Sequence, residues 1–323
     1  MKILFWGTPA FAVPSLRALD DEGFDVVGVV TQPDRPAGRG RKLRPSPVKE
    51  LALELGIPLL QPERPRGEEF LAQIAELAPD VSVVVAYGNL LPQDVLDAPP
   101  MGSFNIHASL LPELRGAAPI NWAIARGHHE TGITIQRMVL KMDAGPIVHR
   151  VPEPILDDET AAELTLRLSE LGAAAIVEAL ALVSAGVPEV EQDHDAATFA
   201  PKVGRDVARI DWSRPAREIA CHVRGMDAVP GAWTQLGEQS VKLFRPRALP
   251  EDVVDDNGLA LARPGEGRPV PGTVLATDPE EGVLVTAGDG AVLFSEAQPP
   301  GKRRMDVRDW INGRGIERGQ TFR

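Results

Sequence analysis

Lys2-Ile3-Leu4-Phe5-Trp6-Gly7-Thr8-Pro9-Ala10-Phe11-Ala12-Val13-Pro14-Ser15-Leu16 is the stretch that decides the fold. Lys2 to Trp6 is a short apolar run of the kind that forms a buried strand. Gly7-Thr8-Pro9 is a tight turn, and Phe11 to Leu19 carries apolar residues at helical spacing. A strand that breaks at a glycine and feeds a helix is the opening of a doubly wound α/β domain. Of the dinucleotide fingerprint Gly-x-Gly-x-x-Gly only Gly7 is present, which disfavours a nucleotide-dependent oxidoreductase. The turn either aims its N–H groups at a ligand or simply joins strand to helix. Gly7 and Pro9 end the apolar run too early for a secretory leader, and no later run is long enough to cross a bilayer, so a soluble cytoplasmic protein is expected.

The pattern continues outward. Asp25 to Val30 reads as a second buried strand, and Val81 to Ala86 is the most apolar strand, expected near the sheet centre. Ser46-Pro47 supplies an N-cap and first position for a helix that ends at Gly56. Phe70 to Leu77 is a further helix, and Thr131 to Met138 alternates as a half-buried strand. Thr160 with Glu163 makes a capping box for a long helix reaching Ser184. Gly186 to Lys202, with Pro188, Asp193, Asp195 and Pro201, has the composition of a linker. Beyond it, Val241–Phe244, Gly272–Leu275, Gly282–Thr286 and Ala291–Phe294 are short strand-like runs, a small β-barrel pattern, with Asp252 to Gly267 as a surface loop. The expected fold class is therefore α/β: a doubly wound, Rossmann-like N-terminal domain over 1–187, a linker over 188–206, and a smaller OB-like β-barrel over 207–323.

The 323 residues carry a net charge of 34 − 46 = −12. Such a chain repels polyanions unless positive charge is gathered locally. The segment from Thr31 to Pro47 gathers it, with Arg35, Arg39, Arg41, Lys42 and Arg44 among prolines and glycines that argue against regular structure. It is either a solvated loop or, lying after a strand's carboxyl end, a contact for phosphates and unpaired bases. Cys221 is the single cysteine, so no intrachain disulfide can form.

Ser103-Phe104-Asn105-Ile106-His107-Ala108-Ser109-Leu110-Leu111-Pro112 holds the chemistry. Alternation puts Asn105 and His107 on one face of an extended chain and Phe104 and Ile106 on the other. The polar pair either faces water or shares a cleft, where an amide donor and an imidazole can bind a carbonyl oxygen and manage a proton. Asp143, in Asp143-Ala144-Gly145, brings a carboxylate in a turn. Tyr87, the only tyrosine, either lines a site or closes the core.

Asn105-x-His107-x-Ser109-Leu110-Leu111-Pro112, followed by Arg115-Gly116-Ala117-Ala118-Pro119-Ile120 and Asp143-x-Gly145, resembles the folate-dependent formyltransferases. Further signs resemble the branch of that family acting on methionyl-tRNA. They are Gly7-Thr8-Pro9, Gln32 to Gly40, Val85-Ala86-Tyr87-Gly88, Ile210-Asp211-Trp212 and Gln298-Pro299-Pro300-Gly301-Lys302-Arg303, so that the resemblance covers nearly the whole chain. It implies transfer of the formyl group of 10-formyltetrahydrofolate to the α-amine of methionine on initiator tRNA, with no metal and no membrane, by a chain acting as a monomer. It implies Asn105, His107 and Asp143 as the catalytic set. Folate contacts are implied at Ser109, Leu110, Leu111, Pro112, Val85, Tyr87 and Gly88. Contacts to tRNA are implied at Arg35, Arg39, Arg41, Lys42, Arg44, Lys302 and Arg303. Where the family often has Asn-Pro-Trp-Pro-Gly-Ala, this chain has Asp227-Ala228-Val229-Pro230-Gly231-Ala232, which removes an aromatic group from the barrel region. A formyltransferase or formylfolate hydrolase acting on a small substrate would share the catalytic set but not the basic loop and barrel. A non-catalytic tRNA-binding protein would leave Asn105, His107 and Asp143 without a reason.

Overall fold

The computed structural model describes residues 1–37, 42–249 and 269–323. They form two compact units: residues 1–119, 130–154 and 165–201 make the first, and 120–129, 155–164 and 202–323 the second.

The first unit opens with β1 (Lys2–Gly7), a 3₁₀ turn and α1 (Val13–Asp21), then β2 (Asp25–Val30). Next come β3 (Arg35–Ala37), β4 (Lys42–Arg44), α2 (Pro47–Glu54), β5 (Leu59–Leu60), α3 (Glu68–Leu77), β6 (Val81–Val85), α4 (Gln93–Leu96) and β7 (Ser103–His107). After α5 (Pro119–Ala125), nearly all of which lies in the second unit, β8 (Glu130–Arg137) and β9 (Ile147–Pro154) complete the sheet, and α6 (Ala161–Ser184) belongs here from Thr165 on. Sheet order is β5-β2-β1-β6-β7-β8-β9. The first five strands run parallel and β8 and β9 antiparallel. All five residues of β6 are buried at the middle of this order, where an unbroken valine-rich run belongs. Gly7 is required by packing, because a Cβ there would lie 2.9 Å from Ala12 Cβ and from the Phe5 ring. The turn after β1 is tied to the loop after β6, Thr8 Oγ1 donating to Tyr87 O.

Ser46 caps α2, accepting from Lys49 N–H at 3.1 Å. The basic segment departs from the expected irregular loop. Its described ends pair as an antiparallel hairpin, Arg35 opposite Arg44 and Pro36 opposite Leu43. Its base is fixed where Lys49 Nζ meets Asp34 at 2.8 Å and Gln61 Oε1 at 2.8 Å. Strand β8 is almost wholly buried from Thr131 to Gln136, not half-buried. Ile133 on one face lies under α6 at Gly172, and Thr134 and Gln136 on the other are covered by loops described below. Residues 186–202, of linker composition, return to the first unit: Val190 bridges Ile147 of β9, and Phe199 bridges Arg115 in the turn after β7.

The second unit contains α7 (Ala216–Met226), β10 (Trp233–Leu236), β11 (Gln239–Leu249), β12 (Val274–Asp278), β13 (Gly282–Thr286), β14 (Ala291–Gln298), β15 (Met305–Asp306) and α8 (Val307–Asn312). Its antiparallel sheet runs β10-β11-β14-β13-β12, with β15 on β14. Among the described strands this path is open, so no closed barrel is found: β10 and β12 do not pair with each other. Each edge instead meets the last residues of the chain, Leu236 bridging Phe322 and Thr273 bridging Thr321. Trp212 centres the core, stacked on Phe322 at 5.6 Å and edge-on to Phe294 at 5.8 Å, its indole N–H donating to Thr234 Oγ1. Thr160 and Glu163 form the expected capping box at the start of α6. Val229, at the position of the missing tryptophan, is 82% exposed, so an aromatic group there would not belong to this core. Its neighbour Asp227 is buried and held by both terminal nitrogens of Arg304. The expected Asp252–Gly267 loop lies outside the described residues.

Candidate active site

Within the first unit, β7 carries Asn105 half-buried and His107 buried on the face opposite Phe104 and Ile106. Register places Gln136 of β8 across from Asn105 and Thr134 across from His107. Side chains of directly opposed residues share a face, so Asn105, His107, Thr134 and Gln136 form one polar surface.

Two turns fold over it. After β7 the chain turns back through Ser109–Arg115, and His107 Nε2 comes to 3.0 Å from Leu114 O. A carbonyl only accepts, so Nε2 carries the hydrogen, and Nδ1 is the ring atom left to take or release a proton. Nδ1 faces Asp143 Oδ1 at 3.6 Å. Asp143 stands in the left-handed region at φ +50° in the turn after β8. Its Oδ2 accepts from Gly116 N–H at 2.8 Å and its Oδ1 from Gln136 Nε2 at 3.0 Å. The glycine of Asp-x-Gly is compulsory, because a Cβ on Gly145 would sit 1.9 Å from Arg137 O.

Behind the carboxylate, Gln192 donates through Nε2 to Asp143 O at 2.9 Å and Gly145 O at 2.7 Å. Its Oε1 accepts from Arg115 Nε and a terminal nitrogen at 3.2 and 2.6 Å. Arg115 is 2% exposed. Burial draws its guanidinium below the ordinary arginine range, and the charge of Asp143 pushes it back up.

The structure thus places Asn105 and His107 on one face of β7, sets Asp143 beside His107, and binds Asp143 to Gln136, the residue opposite Asn105. The other candidates divide. Ser109 is buried and spends its hydroxyl on Glu113 O, while its carbonyl accepts from Thr134 Oγ1. Leu111 and Val85 are fully buried, and Leu110 and Pro112, flanking Leu111 in sequence, are half-buried. Tyr87 closes the core, edge-on to Trp6 at 5.3 Å, and burial pushes its phenol up. Gly88, exposed at φ +91°, follows Ala86 at φ +47° at the carboxyl end of β6, next to the point where strand order reverses. Arg35 and Arg44 are exposed partners on the hairpin, Arg35 donating to Gln32 Oε1. Lys302 and Arg303 are exposed in the second unit. Arg39 and Arg41 lie outside the described residues, and Lys42 is described by its backbone alone. Sequence reasoning missed Gln136, Thr134 and Gln192. The first two had a signal, alternating with Ile133 and Ile135 along β8; Gln192 had none. Among the described residues no group of three His, Cys, Asp or Glu is placed to hold a metal ion.

The family model described as "Formyl transferase" matches residues 1–180, and the one described as "Formyl transferase, C-terminal domain" matches 202–315. The chain belongs to the formyl transferase family. It is similar to the methionyl-tRNA formyltransferase of Symbiobacterium thermophilum, 46% identical over 323 residues covering 100% of this chain and 95% of that one. The methionyl-tRNA formyltransferase of Thiobacillus denitrificans is 45% identical over 319 residues, covering 99% and 98%. A similar fold is seen in HypX from Aquifex aeolicus, solved in complex with tetrahydrofolic acid. It matches at TM-score 0.62 and 19% identity over all of this chain, which spans 51% of that longer protein.

Proposed function

We propose that this formyl transferase moves the formyl group of 10-formyltetrahydrofolate to the α-amine of methionine on initiator tRNA, giving N-formylmethionyl-tRNA and tetrahydrofolate for translation initiation. The observation that carries the reading is the convergence of Asn105, His107 and Asp143 on one face of β7, in a chain similar along its whole length to methionyl-tRNA formyltransferases. When bound, the folate supplies an activated one-carbon group and, once the group has left, a nitrogen that needs a proton.

The protein's own groups suit the rest. Attack needs a neutral amine, and a free α-amine has a pKa of roughly 7.7–8.0. Asn105 presents an uncharged donor where negative charge develops on the formyl oxygen. His107 Nδ1 holds or passes the proton, with Nε2 anchored on Leu114 O. The Asp143 carboxylate, fixed by Gly116 and Gln136, stabilises a protonated His107 or receives the proton lost by the amine. The residues present fit a flat, polar-edged ring: half-buried Leu110 and Pro112 offer apolar surface, and the backbone at Ala86 and Gly88 is exposed. On this reading Val85, Leu111 and Tyr87 support the folate site from beneath, and Ser109 shapes its loop. Arg35, Arg39, Arg41, Lys42 and Arg44 with Lys302 and Arg303 meet the tRNA. The catalytic domain takes in residues 1–187 together with the segment that returns to it up to Pro201, and 207–323 are an OB-like tRNA-binding barrel, a reading supported by the bridges from Thr321 and Phe322 to both sheet edges.

The test is mass analysis of methionyl-tRNA after incubation with 10-formyltetrahydrofolate and the protein. A gain of one formyl group is expected. Formylation of a small amine with methionyl-tRNA left untouched would overturn the acceptor assignment.

A further inference from the structure

We propose that Gln192 and Arg115 are positioning residues of the catalytic centre, Gln192 clamping the Asp143 turn and Arg115 setting the orientation of the clamp. The inference rests on the functional reading above and concerns a residue that lies between the two matched family regions, 1–180 and 202–315.

Asp143 is a non-glycine residue at φ +50°, a conformation that persists only where surroundings impose it. Two carbonyls of its turn, Asp143 O and Gly145 O, find donors in one amide, Gln192 Nε2. That nitrogen has two hydrogens, so these two bonds use its full capacity. The 3.3 Å approach to Gln136 Oε1 is a secondary contact. A glutamine amide turned end for end would present its oxygen to both carbonyls and repel them. Arg115 prevents this, because of the two ends of the Gln192 amide only Oε1 can accept from its N–H groups. The same guanidinium takes His194 Nδ1 at 3.0 Å as a further neutral acceptor. No carboxylate lies within ion-pairing distance of Arg115 among the described residues, which suits a group selecting an orientation more than one forming a structural salt bridge. The chain runs Arg115, Gln192, Asp143, His107: the first two touch neither the formyl group nor the amine and act through the carboxylate.

Steady-state formylation by the full chain tests this with Gln192→Glu, which keeps size and the acceptor for Arg115 but removes both donors. Turnover should fall roughly 10- to 100-fold, the scale of a misplacement near 1 Å, with KM for both substrates within about threefold of wild type. Arg115→Lys should retain more turnover than Arg115→Ala, and Glu191→Gln, an exposed neighbour, should behave as wild type. Turnover within about twofold of wild type in Gln192→Glu would overturn the proposal. So would a parallel collapse of folate binding, which signals general loosening. If Gln192→Glu does not fold, the same split measured in Arg115→Lys decides. A second readout needs no substrate: the ¹⁵N resonances of the His107 ring should shift in Gln192→Glu, and unchanged resonances would count against the clamp. A wild type inert on methionyl-tRNA but with that shift present would sink the functional reading and leave the positioning role standing.

Discussion

Asp143→Asn removes one charge and two lone pairs while keeping the shape of the side chain. The carboxylate has three neighbours: Gly116 N–H at 2.8 Å, Gln136 Nε2 at 3.0 Å and His107 Nδ1 at 3.6 Å. An amide can keep its oxygen on Gly116, but its NH₂ then faces the NH₂ of Gln136, donor against donor. Flipping Gln136 relieves that contact only by turning its own NH₂ toward Gln192 Nε2, now 3.3 Å from Gln136 Oε1. The larger loss is electrostatic. The His107 and Asp143 side chains are 6% and 14% exposed, so water screens them little. At 3.6 Å and an effective dielectric constant near 20, a protonated His107 and the carboxylate attract by about 4–5 kcal/mol. An amide dipole keeps a minor part of this. Losing roughly 3–4 kcal/mol from a step in which His107 is charged corresponds to roughly 10²–10³-fold in rate. The assay is single-turnover formylation of methionyl-tRNA, with folate-analogue affinity measured alongside and expected to move less than threefold. Single-turnover rates within fivefold of wild type would refute the charge coupling and leave Asp143 a turn former.

Asn105→Ala should lower turnover by on the order of 10²–10³ with little change in substrate affinity, and normal turnover would remove Asn105 from the mechanism. Arg35→Ala with Arg44→Ala on the hairpin should weaken tRNA binding and flatten its salt dependence by roughly 0.7–0.9 log units per lost phosphate contact. Folate binding should be untouched, and an unchanged slope would make the hairpin a bystander. In the second unit, Arg245 and the capping-box contacts hold the Glu163 carboxyl down at about 2. Because the folded value is depressed, the stabilisation is present above the ordinary value of 4.5 and is lost as pH falls toward 2. Both side chains are more than 40% exposed, so the contribution is small. The urea-midpoint gap between wild type and Arg245→Met should close across that window; a gap independent of pH would assign it to packing.

The legible parts of the chain were those where a physical requirement leaves a pattern. The apolar runs of β1 and β6 must be continuous because both faces are covered, and the Ser46-Pro47 cap must precede its helix. Strand β9 was missed because Pro152 and Pro154 sit in it, which an edge strand tolerates but a sequence reading penalises. The hairpin of Arg35 and Arg44 was hidden by its prolines. That Asn105, His107 and Asp143 lie near one another was legible from motif order. Gln136 and Gln192 were not, since a neutral amide carries no charge or period and acquires a role only when folding puts carbonyls around it. Ser109 and Leu111 lie in a readable motif, but only the structure places the hydroxyl on Glu113 and the leucine in the core.

The return of residues 190–200 to the first unit sets where the chain can be cut. A chimaera joined at residue 187 would hand Gln192, Thr198 and the strand-like bridges at Val190 and Phe199 to the foreign partner, although Thr198 Oγ1 receives Leu114 N–H and Ala200 N–H reaches Arg115 O. The seam that keeps these contacts whole falls after Pro201, where the first unit ends and the C-terminal family match begins at 202. A cut at that seam, in the laboratory or over evolutionary time, would keep Asn105, His107 and Asp143 in one piece with Arg115, Gln192 and Thr198. One made at residue 187 would separate the Asp143 turn from the Gln192 amide that holds its carbonyls.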